Sequence, residues 1–186
     1  MKTRESGMPA EEMWQSFFDP ETILRKLCLS HDCRCVVDFG CGYGTFAIPA
    51  ARLVRGSVHA VDLDLEMVAL TATKAAKLAN VKVWQRDFVD TGCGLPDAAA
   101  DYAMLFNILH AAEAPRLLEE ARRVLKVGGR LAVIHWNYDP NTPRGPSMEI
   151  RLRPEACREI VQAAGFAAAE LVDLPPHHFG FVAVRL

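Results

Sequence analysis

The sequence predicts an α/β protein with a Rossmann-like, doubly wound and mostly parallel sheet, and three observations carry that reading. Short β-branched runs alternate with stretches of helical period. Three alternating glycines stand between the first of those runs and the helix after it. The last two apolar runs are separated by only four residues, 175 to 178. Alternating strands and helices build parallel sheets covered on both faces. A four-residue connection cannot hold a crossover, so the final pair must be antiparallel.

In chain order, Asp19-Pro20-Glu21 reads as a helix start, with an N-cap carboxylate, a proline at the first helical position and an acid favoured by the helix dipole. Ile23, Leu24 and Leu27 give that helix one apolar face. Cys35 to Phe39 is the first strand, followed by a glycine loop and a helix from Thr45 to about Val54. Val58 to Val61 form a second strand ending at Asp62, and Met67 to Leu78 a second core helix with Asn80 as its C′ residue. Val81 to Gln85, Tyr102 to Phe106 and Leu131 to Trp136 are the third, fourth and fifth strands. A helix at 115 to 126 precedes the fifth, and Gly128-Gly129 turns it into that strand. A last helix runs from near Pro154 to Gly165, and Ala169 to Leu174 pairs with Phe179 to Arg185.

Length and composition limit what such a chain does. Its 186 residues make one domain, with 51% hydrophobic and 24% charged residues, which excludes a disordered tail or a collagen-like repeat. Twenty-one Lys and Arg against 23 Asp and Glu give a net charge of −2, too balanced for a protein whose task is to coat a polyanion. Residues 1 to 7 lack the apolar stretch of a secretory signal, and no uncharged run reaches the roughly 18 residues that span a bilayer. Six cysteines without a signal fit a reducing compartment, so the cytoplasm is expected.

The glycine loop is the strongest functional signal. In Val36-Val37-Asp38-Phe39-Gly40-Cys41-Gly42-Tyr43-Gly44-Thr45, glycine permits positive φ and lets a ligand lie on bare backbone. A dinucleotide fold wants its third glycine one place later, where Thr45 stands, which argues against NAD. Asp62, at the end of the second strand, is placed to accept hydrogen bonds from a ribose diol. A nucleoside ligand without a diphosphate follows, although glycines at such a turn also serve as a turn alone.

The segment Asp38 to Gly44 resembles motif I of the class I S-adenosylmethionine-dependent methyltransferases. Ala60-Val61-Asp62-Leu63-Asp64 resembles the second-strand acidic motif of that family, and Gln85-Arg86-Asp87-Phe88 its third-strand motif, whose acid receives the adenine amino group. Asp101 to Asn107 is similar to motif IV, and Val124 to Leu131 to the turn into the fifth strand. The resemblance spans about residues 34 to 186 and is nearest to small members of the quinone-biosynthesis-like group. It implies a seven-stranded sheet in the order 3-2-1-4-5-7-6, a cofactor above the carboxyl ends of strands one to four, and S-adenosyl-L-methionine as that cofactor. Asp38, Gly40, Cys41, Gly42, Gly44, Asp62, Leu63, Asp87, Phe88 and Asn107 are its implied contacts.

His110 leaves the fourth strand beside the expected methyl position, as a general base for a proton-bearing acceptor or as a loop histidine capping backbone groups. Trp136 and Tyr138 either wall an acceptor cavity or pack on its rim. Trp14 and Phe17 belong to an aromatic stretch within residues 1 to 33 that packs on the sheet edge or forms a lid. Arg144, Arg151, Arg153 and Arg158, interrupted by Glu149 and Glu155, read as a solvated face. Asn107-Ile108-Leu109-His110 replaces the Asn-Pro-Pro-Tyr of amino-methylating nucleic-acid enzymes. His31-Asp32-Cys33-Arg34-Cys35 lacks a second ligand pair at zinc spacing, and no metal is expected. The expected function is methyl transfer to a small-molecule acceptor by a single domain, with a non-catalytic cofactor-binding protein acting through a partner, or an RNA methyltransferase, as the alternatives.

Overall fold

The first strand, β1 (Cys35–Phe39), is buried along nearly its whole length, which a strand achieves only when both faces of its sheet are covered. Val36 falls in one hydrophobic cluster and Val37 and Phe39 in the other, the period of two expected for side chains on alternate faces. The computed structural model describes residues 8–168 and 170–186, so the stretch 1 to 7 and the expected strand start at Ala169 lie outside the described residues.

After α1 (Glu11–Gln15) and α2 (Pro20–Lys26), β1 is followed by α3 (Ala47–Leu53), β2 (Ser57–Asp62), α4 (Leu65–Ala75), β3 (Val81–Gln85) and β4 (Ala100–Phe106). Then come α5 (Ala114–Val124), β5 (Leu125–Trp136), α6 (Pro154–Ala163), β6 (Phe166–Ala168), β7 (Val172–Leu174) and β8 (His178–Arg185). The order across the sheet is β3-β2-β1-β4-β5-β8-β6, with β7 also paired to β8. β1 to β5 are parallel, whereas β8 is antiparallel to β5, β6 and β7. α2 and α3 pack on one face with Val36, Tyr102 and Met104, and α5 and α6 on the other with Val37, Ala103 and Leu105.

The expected strand order holds, with one refinement. The sixth strand is two short pieces on the same edge of β8: β6 opposite Ala183 to Arg185, and β7 opposite His178 to Gly180. It also begins earlier, at Phe166, because Gly165 at φ +88 ends α6 and turns the chain directly into the sheet. The fifth strand starts at Leu125 rather than Leu131. Ala100 pairs with Leu125 and Tyr102 with Arg130, so residues 126 to 129 bulge from the ladder with Gly128 at φ +77.

Asn80 does not cap a helix. α4 begins two residues earlier than its apolar pattern suggested, on the Asp64 N-cap, and its last helical residue is Ala75. The Asn80 amide instead donates to the carbonyls of Ala51 and Gly56, at 2.8 and 3.0 Å, bridging the connections around β2. Asp19 does cap α2, accepting from the Thr22 amide at 3.2 Å. Cys41, Cys93 and Cys157 are buried like small apolar residues, but Cys28 is exposed at φ 58.

Candidate functional site

The carboxyl ends of parallel strands leave their last carbonyls and the following loops on one edge, and at the β1/β4 switch point the loops part to opposite sides. A cavity of about 240 Å³ opens there. Its floor is the glycine loop. Gly40, Gly42 and Gly44 have φ of +74, +51 and +74, conformations that side chains beyond glycine rarely adopt. The Gly40 and Cys41 amides donate to the Val61 carbonyl at 2.8 and 3.1 Å, and the Thr71 hydroxyl donates to the Gly42 carbonyl at 2.7 Å. β2 and α4 therefore hold the loop from both sides.

Asp62 completes that clamp. One carboxylate oxygen accepts from the Gly42 amide at 2.8 Å and the other from the Asp64 amide at 3.0 Å. Burial raises its pKa, opposed by those amides. Asp38, also on the wall, is more deeply buried, and burial with the nearby Asp62 charge pushes it up to about 7 against a hydrogen bond from the Ala47 amide. A buried and a half-buried carboxyl, with no cationic side chain hydrogen-bonded to either among the described residues, make this part of the cavity receptive to hydroxyl donors and to positive charge.

The opposite wall descends from β4 and β5. Asn107 sits at φ +57, and its backbone amide donates to the Ile134 carbonyl at 2.8 Å. Both polar atoms of its side chain are buried without a partner among the described residues, as are Thr45 Oγ1 and His110 Nδ1. Buried polar atoms are almost always hydrogen-bonded, so four lining this cavity call for a polar ligand or ordered water. Burial, reinforced by the Arg151 charge, lowers the His110 pKa to about 4, which leaves the imidazole neutral near pH 7.

Of the residues singled out in the sequence, Trp14, Asp38, Gly40, Cys41, Gly42, Asp62, Leu63, Phe88, Asn107, His110 and Trp136 line this one cavity. Burial pushes the Cys41 thiol well up, so it is neutral there. Four others stand elsewhere. Gly44 faces α3 and α4, where an added Cβ would meet Ile48 and Thr71 at 3.0 Å. Asp87 lines a smaller adjoining hollow that shares Leu63 and Phe88 with the cavity, and its carboxylate accepts from the Val89 and Asp90 amides. Phe17 is buried edge-on against Trp136, with ring centroids 5.4 Å apart, and so backs the wall. Tyr138 turns outward beneath the Arg153 guanidinium, 4.0 Å from its ring.

The N-terminal aromatic segment is strapped across this edge of the sheet. The Tyr43 hydroxyl donates to the Pro9 carbonyl at 3.0 Å, and Lys74 both donates to the Tyr43 carbonyl at 3.0 Å and pairs with Glu11. Phe18 packs on Phe46 and His178, and Met8 stands over Gly42. Sequence reasoning missed Met8, Thr45, Phe106, Gly145 and Pro146 as lining residues. It also misassigned Arg151 to a solvated face, whereas the residue is 8% exposed and its guanidinium is wrapped by loop carbonyls. Gly145-Pro146 following a strand's carboxyl end was the available signal. Among the described residues, no group of three His, Cys, Asp or Glu side chains is placed to hold a metal, and no helix is long and apolar enough to cross a membrane.

The sheet order, the positive-φ glycine loop and the acid ending β2 define the class I S-adenosylmethionine-dependent methyltransferase fold. Residues 36–129 match the family described as "Methyltransferase domain", and the chain belongs to that family. It is 39% identical over 98 residues to the ribosomal protein L11 methyltransferase of Methylococcus capsulatus, covering 53% of this chain and 32% of that protein. It is 34% identical over 117 residues to an uncharacterized 37.1 kDa protein in transposon TN4556 of Streptomyces fradiae, covering 61% and 33%. The chain thus spans about a third of the length of these curated relatives. Among solved structures it is similar to a SAM-dependent methyltransferase from Aquifex aeolicus, with a TM-score of 0.83, 28% identity and coverage of 95% of this chain and 94% of that one.

Proposed function

We propose that this chain is an S-adenosylmethionine-dependent methyltransferase acting on a small-molecule acceptor. The observation that carries the reading is a set of buried polar atoms without partners among the described residues, on Thr45, Asn107 and His110, lining a cavity whose glycine loop is tied down by Asp62. Asp62 retains acceptor lone pairs for a ribose diol. Leu63 and Phe88, shared between the cavity and the hollow of Asp87, are the apolar faces for an adenine, and the Asp38 carboxyl suits the ammonium of a methionine moiety.

When bound, S-adenosylmethionine supplies a methyl group already activated on a sulfonium. An acceptor nucleophile would take up that methyl carbon while the carbon–sulfur electron pair remained on sulfur, leaving S-adenosylhomocysteine. The chain's own residues have three tasks in that displacement: to align the reactants, to exclude water and to receive any proton the acceptor loses. Aromatic side chains at Trp14, Phe106 and Trp136 exclude water. His110, neutral near pH 7, has an unpartnered Nδ1 to take a proton or orient a hydroxyl.

A small acceptor is supported by the cover over the cavity. Residues of the segment 8 to 18 and of the loop at 144 to 146 line or back it, and the N-terminal segment, tied to the core through the Tyr43–Pro9 hydrogen bond, is proposed as a lid on the 34–186 core that favours a small acceptor. The test is S-adenosylhomocysteine production from S-adenosylmethionine with a cell extract divided into a small-molecule filtrate, protein and RNA. Turnover with the filtrate is expected. Turnover only with protein or RNA would overturn the acceptor class, and cofactor binding without turnover in any fraction would favour a non-catalytic role through a partner.

A further inference from the structure

The cavity lining combines the carboxyls of Asp38 and Asp62 and the aromatic side chains of Trp14, Phe106 and Trp136 with one cationic residue among the described lining residues, Arg144. The chain that brings Arg144 there, residues 137 to 151, has no helix or strand, yet its path is tightly specified. Arg151 donates from Nε and Nη2 to the Pro146 carbonyl at 3.0 and 2.8 Å. Its Nη1 reaches the carbonyls of Asn137 and Asp139 at 3.1 and 2.8 Å and the Thr142 hydroxyl at 2.6 Å, and its Nη2 reaches the Arg144 carbonyl at 3.2 Å. A planar fork of donors satisfied by a single loop holds that loop in one conformation.

Gly145 presses the same loop onto the cavity wall. At φ +111 its backbone lies so close to Trp136 that an added Cβ would stand 2.9 Å from the indole and 2.8 Å from Arg151 Nη2. Arg144 is thereby fixed by its carbonyl at the mouth of an aromatic pocket, while its own guanidinium makes no ion pair or hydrogen bond among the described residues. An exposed guanidinium without a partner among the described residues, on a residue lining a cavity that also presents aromatic side chains, is suited to a carboxylate on a flat molecule. A cationic acceptor would meet like charge at this residue.

On the reading of the cavity as a methyltransferase site, we infer that the acceptor is a small aromatic molecule bearing one anionic group, its ring among the aromatic side chains and its anion on Arg144. The Arg151-centred loop is the element that presents this cation, and Arg144 is the specificity-determining residue.

The test uses the full chain saturated with S-adenosylhomocysteine and titrates matched probes by calorimetry: hydroxybenzoates and the corresponding neutral hydroxybenzamides. At least one hydroxybenzoate is expected to bind about tenfold or more tighter than its amide. Raising the salt concentration should shrink that preference, because the guanidinium is solvent-accessible. Arg144→Gln, an exposed substitution compatible with folding, should erase the preference, and Arg144→Lys should restore part of it. Equal binding of acid and amide, a preference that survives Arg144→Gln, or no binding by any pair would overturn the inference while leaving the cofactor reading intact. Failure to bind S-adenosylhomocysteine would instead bring down the reading on which it rests.

Discussion

Replacing Asp62 by alanine tests the cofactor site most directly, because the carboxylate has two separable tasks. Inside the protein it accepts from the Gly42 amide at 2.8 Å and the Asp64 amide at 3.0 Å, and so ties the glycine loop to the start of α4. Toward the cavity its remaining lone pairs are the acceptors proposed for the ribose. A hydrogen bond to a charged acceptor contributes about 1.5 to 3 kcal/mol, so losing one ligand bond weakens binding about tenfold to a hundredfold, and losing two weakens it further. Leaving the two amides without their acceptor costs about 1 to 3 kcal/mol of folding stability. Calorimetric titration with S-adenosylhomocysteine measures the first effect, and denaturant unfolding without ligand measures the second. Asp64→Ala is the control: it removes the N-cap bond to the Glu66 amide, at 2.9 Å, at about 1 kcal/mol of stability, and should spare most of the affinity. An Asp62→Ala protein that binds S-adenosylhomocysteine as tightly as the parent would refute the argument.

Gly42→Val should abolish cofactor binding in a folded protein, because φ +51 costs an L-residue roughly 1 to 2 kcal/mol, more when β-branched, and the new side chain also displaces Met8; retained affinity measured by calorimetry would place the ligand elsewhere. His110→Ala should lower turnover about a hundredfold if His110 takes the acceptor's proton. Because its pKa is lowered to about 4, that limb of the pH–rate profile should fall near pH 4 rather than near 6.5. Stability should fall as pH drops from about 6.5 toward 4. Burial lowers His110 and His135 to about 4 and His178 to about 3, so protonation below 6.5 favours the unfolded chain. Asp38, raised to about 7, and Asp62, also raised, oppose this trend, so His135→Phe should visibly flatten the dependence in denaturant melts between pH 4.5 and 6.5.

The parallel core was legible because its signals are local. A buried strand between helices reads as a nearly continuous apolar run, Cys35 to Phe39 broken by Asp38, and a helix start carries its cap in the sequence, as at Asp19-Pro20. Asp62 was equally legible, since a residue ending a parallel strand next to a glycine loop must lie at the ligand edge. Boundaries that depend on pairing were not. Whether residues 125 to 130 are loop or strand is decided by what lies opposite them, and the second half of a ladder cannot be seen from one strand. Asn80 carried the signature of a helix end, but two carbonyls from the connections around β2 claimed its side chain.

The sequence by itself determined the sheet's alternation, the glycine loop and the identity of the acids beside it, because these rest on backbone conformation and short-range spacing. Only the tertiary structure decided which aromatic residues face the cavity. Trp14 and Trp136 line it, Phe17 backs it and Tyr138 turns to Arg153, although all four are aromatic. It also decided that Arg151 is an interior anchor while Arg144, seven positions earlier, remains at the mouth. An arginine reads as solvated in any sequence. It becomes a structural centre only when a loop folds enough carbonyls around it to replace the water, and those carbonyls, carried by every residue alike, leave no trace in the order of side chains.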